Sequence, residues 1–123
     1  MIIRITDNGA DAVKPEPGET IRDCIFRLFD IDNIEQLEYF NPKFVTRAMD
    51  IPNVAMLTRR FPGVEKHTSN RIARFITGSP SRYPICGTAY LVAVRGNGWV
   101  SIDDSDCTNI CAELNEFQNA ENA

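Results

Sequence analysis

The stretch that decides the fold is Tyr83–Asp103, YPICGTAYLVAVRGNGWVSID, because two strand patterns flank a tight turn there. Over residues 85–94 both alternating sets of side chains are apolar or small, which predicts a strand covered on both faces. Residues 95–98 (RGNG) tolerate the positive φ of a turn, and Trp99–Ile102 returns as a second strand. The sequence therefore predicts a C-terminal β-hairpin over about 83–102, with its tryptophan at least half shielded.

The other apolar patterns predict an α+β fold around this hairpin. Met1–Thr6 alternates as a first strand, whereas Ile34–Phe40 is open between a strand and a helical turn. Helices are predicted in four places: from Thr20 to Phe29, after Pro52, after a cap at Thr68 or Ser69, and from Asp104 or Ser105. We expect one domain over residues 1–117, with a small, mainly antiparallel sheet packed by three to four helices, and a polar tail at 118–123.

Composition indicates an ordinary globular domain. The chain has 123 residues, of which 43% are hydrophobic and 24% are charged, enough for one core. The sequence has no run of about 20 apolar residues and no signal-peptide pattern, so we expect a cytoplasmic protein without a membrane partner. Its four cysteines are expected to be reduced and mostly buried, and a single histidine is too few for a zinc site. The sequence predicts no metal and no cofactor.

Charge is distributed unevenly along the chain. Residues 1–42 carry nine acids and four bases, residues 43–82 carry eight bases and two acids, and residues 83–123 carry six acids and one base. Two interpretations stay open, solvated helix faces or an anion-binding face in the basic segment. On the second, these residues are the candidates for ligand or partner binding: Arg59, Arg60, His67, Arg71, Arg74, Arg82 and Tyr83.

Catalytic patterns are missing from the sequence. Gly96–Gly98 leads into a strand, whereas a phosphate-cradling loop opens a helix. His67 would have to meet Cys86 or a serine, and no third group is positioned to orient it. The acids of residues 103–106 suit the positive end of a helix dipole. We therefore predict no catalytic residues and no enzyme activity.

Arginine clusters need no such machinery, because each guanidinium matches phosphate or carboxylate oxygens directly. The isoelectric point of about 4.9 argues against nonspecific coating of DNA. The basic segment therefore favours binding of a host protein or a phosphorylated small molecule over binding of nucleic acid.

Three sequence blocks carry a family resemblance: Asn53–Leu57 (NVAML), Pro84–Val92 (PICGTAYLV) and Val100–Ile102 (VSI). They resemble a small domain-of-unknown-function family that is common in phages and conjugative elements. The resemblance covers about half of the chain and brings no catalytic residues with it. It implies a phage or mobile-element accessory protein that acts in the host cytoplasm.

Together these observations predict a non-catalytic accessory protein that binds and inhibits or sequesters a host component, for example in counter-defence. A nucleic-acid-binding regulator is the alternative, and a small hydrolase is the least favoured. The sequence also leaves a homodimer open.

Overall fold

The computed structural model describes residues 1–42, 54–60, 70–78 and 85–122, with side chains described as far as residue 119. Within these ranges six strands are present: β1 (Ile2–Thr6), β2 (Gly9–Val13), β3 (Leu37–Phe40), β4 (Val54–Arg59), β5 (Ala89–Arg95) and β6 (Gly98–Val100). The same ranges contain three α-helices: α1 (Ile21–Phe29), α2 (Arg71–Thr77) and α3 (Asp104–Asn122). A 3₁₀ turn, Ile34–Gln36, leads into β3.

The strands form one sheet in the order β2-β1-β5-β4-β3. Every pairing among them is antiparallel, and β6 pairs with Ala93–Arg95 of β5, beyond the start of β1. The α+β class and the mainly antiparallel sheet are therefore as predicted. The β5–β6 pairing runs from Ala93↔Val100 to Arg95↔Gly98, a shorter span than the predicted 83–102.

Helices cover both faces of the sheet, which produces two separate cores. On one face α2 and α3 pack over alternate residues of the central strands, including Ile3, Met56 and Leu91. On the other face α1 packs over the intervening residues, including Leu57 and Val92. A strand that is buried on both faces has no polar alternation, which is why residues 54–57 of β4 and 89–94 of β5 are continuously apolar.

The helix predicted after Pro52 is wrong, because Val54–Arg59 is strand β4. Its run of apolar side chains is divided between the two cores, since Ala55 and Leu57 face α1 whereas Met56 faces α2 and α3. Pro52 itself lies outside the described residues. A short buried strand and a buried helix have the same apolar run, so periodicity alone could not separate them.

The segment Ile34–Phe40, left open from the sequence, contains both structures. Asn33 caps the 3₁₀ turn, its side chain accepting from the backbone N–H of Glu35. Leu37–Phe40 then pairs with β4 as the last strand of the sheet. The turn thus sets the point at which the chain enters the sheet.

Strand β2 was not predicted. The Asp7–Asn8 turn reverses β1, and Gly9–Val13 pairs with it over its whole length. The amide of Asn115, on α3, bonds to both backbone groups of Ala10, accepting from its N–H at 2.7 Å and donating to its C=O at 2.9 Å. A Cβ on Gly9 would lie 2.5 Å from Asn115 Oδ1, so glycine is needed there for the helix to approach.

Helix α3 continues through the segment predicted as a polar tail. Gln118 is only 6% exposed and its amide donates to the backbone C=O of Asp7 at 2.7 Å. This contact holds the last turns of α3 against the β1–β2 turn. The helix therefore reaches Asn122, through most of the segment predicted as a tail at 118–123.

Candidate functional site

Part of the predicted basic site lies at one end of the sheet. Strand β4 ends at Arg59 where β5 begins, since Thr58 pairs with Ala89. Strand β1 ends at the same level, because Ile5 also pairs with Ala89. Arg59 and Arg60 are both exposed there. We call this end of the sheet, with Arg59, Arg60 and the start of α2, the basic end.

Asn70 attaches the start of α2 to the basic end. It is 1% exposed, and its Oδ1 accepts from the backbone N–H of Ala73 as the helix cap. Its Nδ2 donates to the backbone C=O of Ile5 at 2.9 Å and of Gly87 at 2.8 Å. The predicted cap at Thr68 or Ser69 is therefore wrong, because Asn70 caps the helix, and its amide also donates to β1 and to the segment before β5.

Helix α2 presents its arginines less freely than the sequence indicated. Arg71 lies 3.8 Å from Asp7 in an ion pair across to the β1–β2 turn, and Arg74 is partly buried. Ile72 and Ile76 are buried as predicted. The C-terminal end is also as expected, since Gly78 adopts φ 68° and caps the helix.

Phe75 was predicted to face the core, but it is 43% exposed. Its ring stacks on that of Phe117, on α3, with centroids 4.2 Å apart. The aromatic contact therefore joins α2 to α3 at the surface. Of the three residues predicted to face the core, only Ile72 and Ile76 are buried.

The arginines share an end of the sheet but not a face. Arg59 alternates with Leu57 in β4, so its side chain leaves the sheet on the α1 face. Arg71 and Arg74 lie on α2, which covers the opposite face. The guanidinium groups therefore stand on both sides of the sheet's end and do not form one flat patch. His67, Arg82 and Tyr83 lie outside the described residues.

Sequence reasoning missed an aromatic pair on the α1 face. Trp99 Nε1 donates to Tyr39 Oη at 2.8 Å, and their rings are 6.2 Å apart. Trp99 is partly buried against the core under α1, in line with the shielding expected for it, whereas Tyr39 is 50% exposed. Their meeting requires the strand order β6-β5-β4-β3, which no local pattern reveals.

Ionisable groups elsewhere are held by local partners. Hydrogen bonding from Arg27 lowers the pKa of Glu19 to about 2. This pair attaches the connector before α1 to the helix. The four cysteines all lie within the described residues and form no disulfide with one another, and burial raises the pKa of Cys111 to about 11. Within the part of the chain that the structure describes, no three histidine, cysteine or acidic side chains come together as a metal site.

Comparisons with known proteins found no match for the chain. No family model matches it, and neither the curated proteins nor the solved structures contain a match. Among the described residues, no helix is long and apolar enough to cross a membrane.

Proposed function

We propose that this is a non-catalytic binding protein whose basic end contacts anionic groups of a host component, which it inhibits or sequesters. The observation that supports this most is the convergence of Arg59, Arg60 and Arg71 on one end of the sheet from separate parts of the chain. Arginine forks bind carboxylate and phosphate oxygens bidentately and give affinity without further machinery.

The backbone under these arginines is well fixed. The N–H of Arg60 donates to the C=O of Gln36 at 2.7 Å. This bond extends the β3–β4 pairing to the last residue of the 3₁₀ turn that precedes β3. Beside them, Asn70 anchors α2 to β1 and to the segment before β5. Charged groups on a rigid scaffold lose less entropy on binding than groups on mobile loops. An anionic group at the end of the sheet could therefore be held from both faces.

Asp7 limits the positive charge of this end, because it forms an ion pair with Arg71. A ligand anion would have to compete with the Asp7 carboxylate for the guanidinium. On this proposal Asp7 opposes ligand binding. Removing its charge should therefore tighten binding, whereas the arginine substitutions should weaken it.

The biological setting of the proposal comes from the family resemblance. A phage or mobile-element accessory protein acts in the host cytoplasm, and a host defence protein or its nucleotide signal would present the carboxylates or phosphates that arginine recognises. Counter-defence is the role that this combination favours.

Charge reversal at the basic end tests the proposal. The variant Arg59→Glu/Arg60→Glu should bind tripolyphosphate or poly-L-glutamate at least about tenfold more weakly, and wild-type binding should weaken with salt. The matched control is Arg22→Glu/Arg95→Glu, which makes the same change of net charge at exposed sites elsewhere. Comparing the two probes distinguishes a phosphorylated ligand from an acidic protein. If both variants lost the same affinity for the probes, binding would depend on net charge alone, and the proposed site would be refuted.

Asp7→Asn tests the same site by a gain. Asparagine suits the β1–β2 turn as well as aspartate does, so the fold should be retained. Binding of the same two probes should become tighter, because Arg71 loses its competing carboxylate. Weaker binding by Asp7→Asn would contradict the role given to Arg71.

A further inference from the structure

The two edges of the sheet are treated differently by the fold. At the β2 edge, the side chain of Asn115 occupies the outward N–H and C=O of Ala10, as a neighbouring strand would. Helix α3 packs along the same strand. An edge whose backbone groups are already bonded cannot template pairing with another chain. The β2 edge is therefore closed at Ala10.

The β3 edge has a different pattern of backbone groups. The Arg60 N–H donates to the Gln36 C=O. Because hydrogen-bonded and non-hydrogen-bonded pairs alternate in an antiparallel ladder, the backbone N–H and C=O groups of Glu38 and Phe40 also point toward β4. The backbone groups of Leu37 and Tyr39 then point away from the sheet. The N–H of Leu37 is bonded to the C=O of Ile34. The Leu37 C=O and both backbone groups of Tyr39 have no hydrogen-bond partner within the described ranges.

We propose that a second copy of this chain pairs with β3 in an antiparallel manner, with a twofold axis at Tyr39. Each Tyr39 N–H would then donate to the C=O of the partner's Tyr39. Each Asn41 N–H, next in the alternation, would donate to the C=O of the partner's Leu37. The pairing uses every outward group that the 3₁₀ turn leaves open, and it extends an antiparallel sheet with the same geometry.

Closure of the assembly favours a second copy over a foreign strand. A β3–β3 dimer has a β2 strand at each end of its sheet, and Asn115 caps both. Assembly therefore stops at two copies, as isologous interfaces require. A strand from another protein would leave a new open edge, which the fold of this chain does nothing to protect.

Side chains along β3 are compatible with this register. Glu38 lies opposite the partner's Phe40, so no like charges face each other across the axis. Tyr39 is 50% exposed in the single chain and would lie beside the partner's Tyr39, on the face where it bonds to Trp99. Pairing would thus cover a large exposed aromatic side chain. This inference does not depend on the basic end.

Sedimentation velocity over about 1–300 μM tests the dimer. The wild type should show a dimer that dissociates on dilution. Tyr39→Lys places two ammonium groups beside each other at the axis and should weaken dimerisation at least about tenfold. Tyr39→Phe keeps the backbone and the ring, so it should remain dimeric, as should the control Ala12→Lys on the exposed side of the closed edge. A wild type that is monomeric at every concentration, or a folded Tyr39→Lys that dimerises normally, would overturn the proposal.

Hydrogen exchange on the wild type decides the question even if Tyr39→Lys fails to fold. In the single chain the Tyr39 amide points away from the sheet and has no partner among the described residues, so its exchange should be fast in dilute protein. Dimerisation should slow it in proportion to the dimer fraction, while the Glu38 amide, directed toward β4, stays protected throughout. Fast exchange of the Tyr39 amide at high concentration would overturn the proposed pairing.

Discussion

Replacing Asn70 with alanine and with aspartate separates its two roles at the start of α2. Alanine removes the helix cap and the amide's donations to β1 and to the segment before β5. Losing the cap costs about 1 kcal/mol, and losing the amide's donation to each carbonyl, the buried one of Ile5 and the partly buried one of Gly87, costs roughly 1–2 kcal/mol. We therefore expect Asn70→Ala to reduce the free energy of unfolding by about 3–5 kcal/mol, a large share of the ~5–15 kcal/mol typical of a domain.

Aspartate is the informative comparison, because it caps helices as well as asparagine does. At position 70 its carboxylate could still accept from the Ala73 N–H, but it would face the carbonyl oxygens of Ile5 and Gly87 with no proton to donate. Asn70→Asp should thus be at least as destabilising as Asn70→Ala. Urea unfolding followed by circular dichroism gives both values from the midpoints at constant slope. If Asn70→Asp unfolds within about 0.5 kcal/mol of the wild type, the residue is only a helix cap and the reasoning fails.

Three further predictions concern the connector, the aromatic pair and the thiols. The pKa of Glu19 is lowered to about 2 from 4.5, so its stabilising effect is present above pH 4.5 and is lost as the pH falls toward 2. The variant Glu19→Gln should therefore flatten the pH dependence of the free energy of unfolding in that interval. An unchanged pH dependence would contradict the pairing with Arg27. Tyr39→Phe removes the acceptor of the Trp99 N–H and should cost about 1 kcal/mol or less, with a shift in the emission of this single tryptophan as the readout; identical emission spectra would argue against the hydrogen bond. Because burial raises the pKa of Cys111 to about 11, this thiol should react with a disulfide reagent at pH 8 far more slowly than a free cysteine until the protein is unfolded; rapid modification of the native protein would show that the side chain is accessible.

Local patterns in the sequence predicted the elements whose period is unambiguous. The i, i+3, i+4 spacing of Ile21–Phe29 gave α1 with its cap at Thr20, and alternation gave β1. Strand β2 was not predicted because its sequence, GADAV, contains only one large apolar residue. The strand is stabilised instead by a hydrogen bond from its Ala10 N–H to Asn115, a distant residue on α3. Strand β4 was taken for a helix because a strand covered on both faces does not alternate.

The candidate site was predictable in its charge but not in its geometry. Clustering along the chain identified Arg59, Arg60 and Arg71, and the meeting of strand ends brings them to one end of the sheet. Their division between two faces depends on which helix covers each face of the sheet. That arrangement is set by contacts between residues distant in sequence, which local patterns do not reveal. The roles of Asn70 and Tyr39 were hidden for the same reason, since their partners lie far away in sequence.

Quantitative capture from a bacterial host lysate tests the proposed function most directly. Immobilised wild-type protein and the Arg22→Glu/Arg95→Glu control should retain the same acidic protein or phosphorylated molecule, released by salt, while Arg59→Glu/Arg60→Glu should retain little of it. All three proteins should first be shown to be folded by circular dichroism, since exposed substitutions change stability by only about half a kcal/mol. Equal retention by the basic-end variant, or no retention by the wild type above bare resin, would contradict the proposal that this end of the sheet binds an anionic host component.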